Sequence, residues 1–472
     1  MLITYLLEAK TPYDSLSHIK ACRRAPLLKQ YSMTKLVNPM AAGIDISSKD
    51  HYVAVPQESF PHVRIFKSFT SDLHRLAQWL CSLGIKTVAM ESTGVYWYHL
   101  YTILLDYGLE VNLVNAKAVK HVPGRKSDVS DARWLQHLHA CGLLNPCFQP
   151  DNLTRSLRCY VRERKNIIRE MSRQTQRMQK ALEQMNIKLA NVINDITGKT
   201  GRLIIQAVLD GERDPRVLVK HRDKRIKASP ETLLKSLQGN WREEQLFCLE
   251  QAYAHYLFLQ TRLKQCDLAI EKALQRMGKD PCARRALDKD RVRKNQPDFN
   301  VKQHLYNALG VEVTKIWGLK SITALTLFSE TGPSLKDKFP TEKQFLSWLN
   351  VVPNNKITGG KIISSRVQRK KNRAGQALRE AANGLWNADN PLGSYLRKKK
   401  ARSGGGPAIV ATARKIAAIY YKMVTEKTAF RPEIMMENQE KYWRNKLNSL
   451  EKAKKHIETQ LAEYEINTNV VI

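Results

Sequence analysis

Between Ala41 and Leu144 the apolar residues recur first at every second position and then at every third or fourth. AGIDISS, HYVAVP and VRIFKSF read as three short strands separated by turn residues. SDLHRLAQWLCSLG reads as a helix, with Ser71 placed to cap its start and Gly84 its end. KTVAMES reads as a strand whose Val-Ala-Met centre suits burial on both faces. GVYWYHLYTILLDYGL is then a helix and EVNLVN a strand. DVSDARWLQHLHACGLL is a helix with Ser127 or Asp128 at its N-terminus and Gly142 near its end. Three strands followed by alternating helix and strand predict an α/β domain with a mixed sheet over residues 41–148.

From residue 151 the period changes. Leu157, Val161, Ile168, Met171, Met178, Leu182, Met185 and Leu189 alternate by threes and fours, with Arg164 and Thr175 as interruptions. Ala252, Tyr256, Leu259, Leu263, Cys266, Ile270 and Ala273 form a second stripe. Two such helices with the basic insert HRDKRIKAS between them predict an antiparallel coiled-coil arm over 151–275. The alternative is an ordinary helix pair packed on a domain. Residues 276–312 are densely charged, hold Pro281 and Pro297, and read as a linker. A compact helical segment follows over 313–425, then a charged helical tail over 426–472. Residues 1–39 show weak periodicity and read as an N-terminal arm, or as an upstream extension of a gene whose working start is Met33 or Met40. MLITYLLEAK has no basic flank before its apolar run and reaches Glu8 at once, unlike a signal peptide.

Charge narrows the partner. The 472 residues hold 78 Lys plus Arg against 44 Asp plus Glu, a formal net charge of +34. Such a surplus favours a polyanion, because each phosphate neutralised releases a counterion. A membrane surface would call for a concentrated basic amphipathic segment or a lipidation motif, and the chain carries neither. No apolar run approaches the ~20 residues of a membrane span. The eight cysteines form no CxxC pair, which speaks against a zinc ribbon and for reduced thiols in the cytoplasm. GKTG at 198–201 lacks the spacing of a phosphate loop.

Against this basic background the acids stand out. Asp128 and Asp131, three apart, share one helical face, and two carboxylates held together repel unless a cation lies between them. Asp45 lies inside the first strand and Glu91 ends the strand KTVAMES before the turn STG. Carboxylates at strand positions, joined by acids from a later helix, suit Mg2+ (or Mn2+) beside a phosphate. Each acid also has a plain reading: Asp128 as a helix cap, Glu91 as a turn residue, Asp131 as a partner of Arg125 or Arg133.

AGIDISS, the ESTG turn and the KSDVSDARWL run together resemble the catalytic domain of the DEDD insertion-sequence transposases. That resemblance implies a RuvC-like, RNase H-like fold over 41–148, with Asp45, Glu91, Asp128 and Asp131 as the catalytic and metal-binding acids. It extends over most of residues 41–425. NIKLANVINDITGKTGRLIIQAVLDGERDP is similar to the family's coiled-coil insert, and FLSWLNVVPNNKITGGKIISSRVQRKKNRAGQALREAANGLW to its C-terminal transposase domain. There a hydroxyl before a glycine attacks DNA, which puts Thr358 in the nucleophile's place where many members have serine. Ser364 and Ser365 are the alternatives.

The DNA- and RNA-binding candidates are Lys361, Arg366, Lys370, Lys371 and Arg373 around that segment, and Arg397, Lys398, Lys399 and Lys400 beyond it. Lys320 joins them. It stands at the second-glycine position of a helix-hairpin-helix-like turn in WGLKSITALTLFSETG. Tyr96, Trp97 and Tyr98 beside Glu91 read as core rather than as a base-stacking platform.

The expectation is an α/β plus all-α DNA transposase that acts through a covalent protein–DNA intermediate. By the resemblance it is guided by a structured noncoding RNA. It works as a homodimer or tetramer with the helical arm as dimer contact, in the cytoplasm and on the nucleoid when active. A junction nuclease using water, and a noncatalytic nucleic-acid-binding protein, are its rivals.

Overall fold

The computed structural model describes residues 36–59, 61–115, 127–278, 280–368 and 372–469, and the chain divides between Gln149 and Pro150 into two compact units. In the first unit, β1 (Ala41–Ile46) pairs antiparallel with β2 (Asp50–Ala54), which pairs antiparallel with β3 (Val63–Lys67). Helix α1 (Thr70–Ser82) leads to β4 (Thr87–Glu91), parallel to β1, and α2 (Trp97–Asp106) leads to β5 (Glu110–Val114), parallel to β4. Helix α3 (Asp128–Ala140) completes the described elements of the unit. Among the described residues the sheet order is β3-β2-β1-β4-β5, a mixed sheet that fits an RNase H-like arrangement. The first turn of α1 departs from expectation. It begins at Thr70 with Phe69 at the cap position and no side-chain capping bond, so Ser71 lies inside the helix.

Successive strand side chains point to opposite faces, and the two faces of this sheet differ. Ala42, Ile44 and Ile46 of β1 and Val88 and Met90 of β4 share a core with Leu73, Leu76 and Leu80 of α1 and Leu100 and Leu104 of α2. On the other face Ala89 and Val114 pack against Leu135 of α3. Gly43, on that same face, lies directly under α3: a Cβ added there would fall 2.6 Å from the Ala132 carbonyl oxygen. Only glycine permits so close a seat. The Gln136 side chain donates to the Ala41 carbonyl at 3.2 Å, and the buried His139 ring lies 2.9 Å from Thr87 Oγ1. The backbone N–H groups of Val37 and Asn38 both donate to the Ala140 carbonyl, at 2.9 and 3.0 Å, tying the chain entering β1 to the end of α3.

In the second unit α4 (Asn152–Gln184) is followed by the short helices α5 (Leu189–Val192), α6 (Lys199–Leu209), α7 (Pro215–Val219) and α8 (Pro230–Ser236), then by α9 (Glu243–Arg276). The Asn240 N–H donates to the Met185 carbonyl at 2.8 Å, and Arg164 meets Asp267 at 2.6 Å farther along, so α4 and α9 run antiparallel. Met171, Met178 and Leu182 pack with Leu249, Tyr256 and Leu263, and Ile187, Ile204, Ile205 and Leu233 of the intervening segment extend that core.

The stripe differs from expectation in detail. Ile167 is buried where Ile168 is only partly so, and Arg164 and Gln174 lie on the buried face. Arg164 is desolvated there because Asp267 and, at 2.7 Å, the Asn295 carbonyl satisfy its guanidinium. Gly201 of GKTG packs against Ile196, where a Cβ would lie 2.6 Å from the Ile196 Cα, so its role is close packing.

Within the stretch 276–312, α10 (Val301–Leu309) buries Val301, Leu305 and Leu309. Next come α11 (Ser321–Thr331), α12 (Leu335–Lys338) and α13 (Glu342–Trp348), then the hairpin of β6 (Lys356–Thr358) and β7 (Lys361–Ser364). After it come α14 (Arg373–Asn383), α15 (Pro391–Ser403), α16 (Gly405–Glu426) and α17 (Pro432–Asn469). Phe328, Phe345, Leu378 and Tyr420 are fully buried in these helices. Glu330 of α11, itself buried, takes the Arg162 fork at 2.9 and 2.8 Å and Arg158 at 3.1 Å, which fastens α4 to this helical region. No helix among the described residues is long and apolar enough to cross a membrane.

Candidate active site

Strand alternation and register place the first two acids. Asp45 follows Gly43 by two residues and Glu91 follows Ala89 by two, so both belong to the face that α3 covers. Ile44 is in register with Met90 across the parallel β1–β4 pair, and one step further Asp45 and Glu91 stand side by side at the C-terminal strand ends. Helix α3 carries the other two in its first turn. Its cap is a reciprocal box: the Ser127 hydroxyl accepts from the Ser130 N–H at 3.3 Å, and the Ser130 hydroxyl from the Ser127 N–H at 3.1 Å. Ser127 therefore caps the helix, and Asp128 does not. Both aspartates sit where the helix dipole favours negative charge.

The electrostatics tie the four together. Burial, and then the fields of Asp128, Asp131 and Glu91, push the Asp45 carboxyl up to about 6. The Thr93 hydroxyl donates to Glu91 Oε1 at 2.9 Å across the STG turn, which Gly94 closes at φ +55°. Among the described residues no three His, Cys, Asp or Glu side chains converge into a closed metal cage. The acids share a field rather than a coordination sphere. Their chemistry fits a hard divalent cation nonetheless: every donor is a carboxylate oxygen, and the repulsion raising Asp45 is what a cation would relieve.

In the second unit Thr358 ends β6 and pairs with Lys361 across Gly359 and Gly360. Both glycines have positive φ, +54° and +74°, as a two-residue hairpin turn requires. A Cβ on either would meet nothing, so their role is the turn itself. Thr358 and Ser365 are exposed and Ser364 is half-buried, its hydroxyl accepting from the Arg366 N–H at 3.4 Å. Ile357, Ile362 and Ile363 are 60 to 70% exposed.

Comparison with known families finds the DEDD transposase family of IS110 type over residues 42–187 and the transposase IS116/IS110/IS902 family over residues 312–395. The first match holds the four acids and the second holds the hairpin. The chain belongs to the IS110 family of DEDD transposases. No curated protein matches it significantly. Membership makes DNA the partner and the cutting and rejoining of DNA the activity.

The transposase distributes its basic residues unevenly. Lys320 is exposed at the cap position of α11, after Gly318, whose φ of +86° and tight seat on the Ala381 carbonyl fix the turn. Lys361 and Arg366 are exposed on and after the hairpin, and Lys370 and Lys371 lie outside the described residues. Burial and the like charges of Arg162 and Arg169 pull the Arg373 guanidinium below its ordinary range, a sign of concentrated positive charge. The run 397–400 is largely occupied within the chain. Arg397 donates to the Trp386 and Ala388 carbonyls at 2.9 and 3.0 Å, Lys398 lies 3.5 Å over the Tyr442 ring, and Lys400 lies 5.1 Å over Trp386. Lys399 is half-buried.

Two residues at the acid face escaped the sequence reading. Gly43 seats α3, and a glycine inside a strand two residues before an acid was the available signal. Thr93 holds Glu91. The aromatic trio divides: Trp97 packs edge-on against Tyr101 at 5.7 Å, while Tyr96 and Tyr98 are exposed.

Proposed function

We propose that this transposase performs Mg2+- or Mn2+-dependent phosphoryl transfer through a covalent protein–DNA intermediate. The seating of α3 on Gly43 is the observation that carries the reading, because it lays the Asp128/Asp131 turn on the face that bears Asp45 and Glu91. These four acids would hold the ion, which would neutralise charge on the phosphate and favour deprotonation of the attacking group. The Thr358 hydroxyl attacks phosphorus: an Oγ–P bond forms, the bond to the leaving deoxyribose oxygen breaks, and that oxygen gains a proton. Attack by a second deoxyribose hydroxyl then releases Thr358 and joins the strands. Ser364 and Ser365 are the alternative nucleophiles. Lys361, the cross-strand neighbour of Thr358, acts with Lys320, Arg366, Lys370, Lys371 and Arg373 to neutralise phosphates, with lesser contributions from residues 397–400.

The same reading takes 41–148 as the RuvC-like catalytic domain, 151–275 as a coiled-coil insert and dimer contact, and 313–425 as the transposase domain. It includes a structured noncoding guide RNA, a homodimer or tetramer, and action on the nucleoid in the cytoplasm.

The test incubates the protein and its co-purified RNA with the element's own ends and Mg2+, then denatures. Wild type and Ser364→Ala are expected to yield a denaturation-resistant protein–DNA adduct, and Thr358→Ala none. Cleavage without any adduct assigns water as the nucleophile and makes the protein a junction nuclease. Strand joining unchanged in Asp128→Ala makes the acids structural.

A further inference from the structure

The last helix takes no part in that chemistry, yet its surface is patterned. The early turns of α17 are held by α15: Gln439 Nε2 donates to Ser394 Oγ at 3.2 Å, and the Lys398 ammonium caps Tyr442 and Trp443. Beyond Trp443, Leu447, Leu450, Ile457 and Leu461 are 57 to 58% exposed. A helix without tertiary packing is marginal in water, and large aliphatic side chains on its surface need a partner.

The spacing says which partner. Trp443, Leu447, Leu450, Lys454, Ile457 and Leu461 step by four, three, four, three and four. This is a heptad repeat with Trp443, Leu450 and Ile457 at d and Leu447, Lys454 and Leu461 at a. A repeat of 3.5 stays on one face only if the helix winds left-handed around another helix of the same period. We propose that α17 forms a parallel, in-register two-stranded coiled coil with α17 of a second copy of this chain.

Charge complementarity selects that occupant. In the parallel pair Lys446 at g faces Glu451 at e of the second copy, and symmetry makes the contact twice. An antiparallel pair stacking Leu447 on Leu450 sets Lys446 opposite Ala453 instead; it brings Glu451 to Arg444, but that arginine is already held by Glu440 at 2.7 Å, and it sets Glu437 against Glu458. The one lysine in the stripe is answered within its own helix, since Lys454 lies 3.6 Å from Glu458. A single lysine at an a position is also a known device for fixing register and strand number. The inference rests on neither the four acids nor Thr358, so it stands or falls apart from the proposed chemistry.

Cysteine crosslinking of the full chain tests it, with the unsubstituted chain as baseline because its own described cysteines form no disulfide with one another. Under mild oxidation Leu450→Cys, at d, is expected to give a disulfide-linked dimer at least tenfold above both the baseline and Lys452→Cys, at the outward f position. Equal yields at the two positions, or no yield above baseline at Leu450→Cys, overturn the proposal. In the Leu450→Cys background, Lys446→Glu and Glu451→Lys are each expected to lower the yield severalfold and the double swap to restore it. A double swap that fails to restore the yield overturns the parallel register.

Discussion

Asp45 lies in the middle strand of the sheet, beneath a helix pressed so closely onto Gly43 that no Cβ fits between them. Thr358 lies at the end of a two-stranded hairpin whose isoleucines are 60 to 70% exposed. The acid face must hold like charges together against their repulsion, and a sheet with a capped, close-seated helix supplies the stiffness. The hairpin works against no such force. A lone two-stranded hairpin is only marginally ordered by itself, and a Cβ added at either turn glycine would meet nothing within 4 Å. On the proposed chemistry, the groups that would bind a cation are built in at folding, whereas the group that would reach a polymer is left on the surface.

The largest expected effect breaks the comparison at its rigid side. Asp128→Ala should lower single-turnover strand joining by ~10³-fold or more without speeding hydrogen exchange in β1 or α3, because Ser127 and Ser130 cap the helix without it and a charge that repels Asp45 is removed. Faster exchange in α3 would recast Asp128 as structural. At the exposed side, Thr358→Ala should abolish the adduct and Thr358→Ser should retain it, both leaving unfolding free energy within about 0.5 kcal/mol of wild type.

Gly43→Ala probes the seat itself. Overpacking of this kind costs about 1–3 kcal/mol, read as faster amide exchange in α3 and β1, with strand joining reduced as the acids separate. Full activity would mean the close seat does not position them.

The smallest effect concerns charge. The folded Asp45 carboxyl titrates at about 6 against an ordinary 3.8, so the folded state binds its proton more tightly. The stability it contributes is present below the ordinary value and lost as pH rises through about 6. Asp45→Asn should therefore slow exchange in β1 at pH 7, by about 1 kcal/mol for a half-buried, partly screened group, with little gain at pH 4. An equal gain at both pH values would remove repulsion as the cause.

Much of the fold could be read locally. The alternation in AGIDISS and KTVAMES marks β1 and β4, and Ser127 with Ser130 marks the start of α3, because pleat and cap depend on residues two to three apart. Arg164 looked like a break in the α4 stripe; it is buried because Asp267, 103 positions away, pairs with it. The charged stretch after α9 looked like a linker; residues 301–309 form a helix because Val301, Leu305 and Leu309 find a core from other segments. Tyr96 and Tyr98 looked like core and are exposed: Tyr96 precedes α2, and Tyr98 lies on the part of the short helix that does not turn inward.

The sequence alone determined the alternation of strand and helix, the capped start of the aspartate-bearing helix, the heptad stripes and the large positive charge. Each depends on side-chain type and near-neighbour spacing, which the chain carries whether folded or not. Tertiary structure decided that Asp45, Glu91, Asp128 and Asp131 share one electric field, that a buried arginine completes a helix pair, and that α17 leaves an apolar stripe bare. Those outcomes turn on which distant segments approach and how closely, and closeness is set by packing: by Gly43, where the missing Cβ lets helix meet strand.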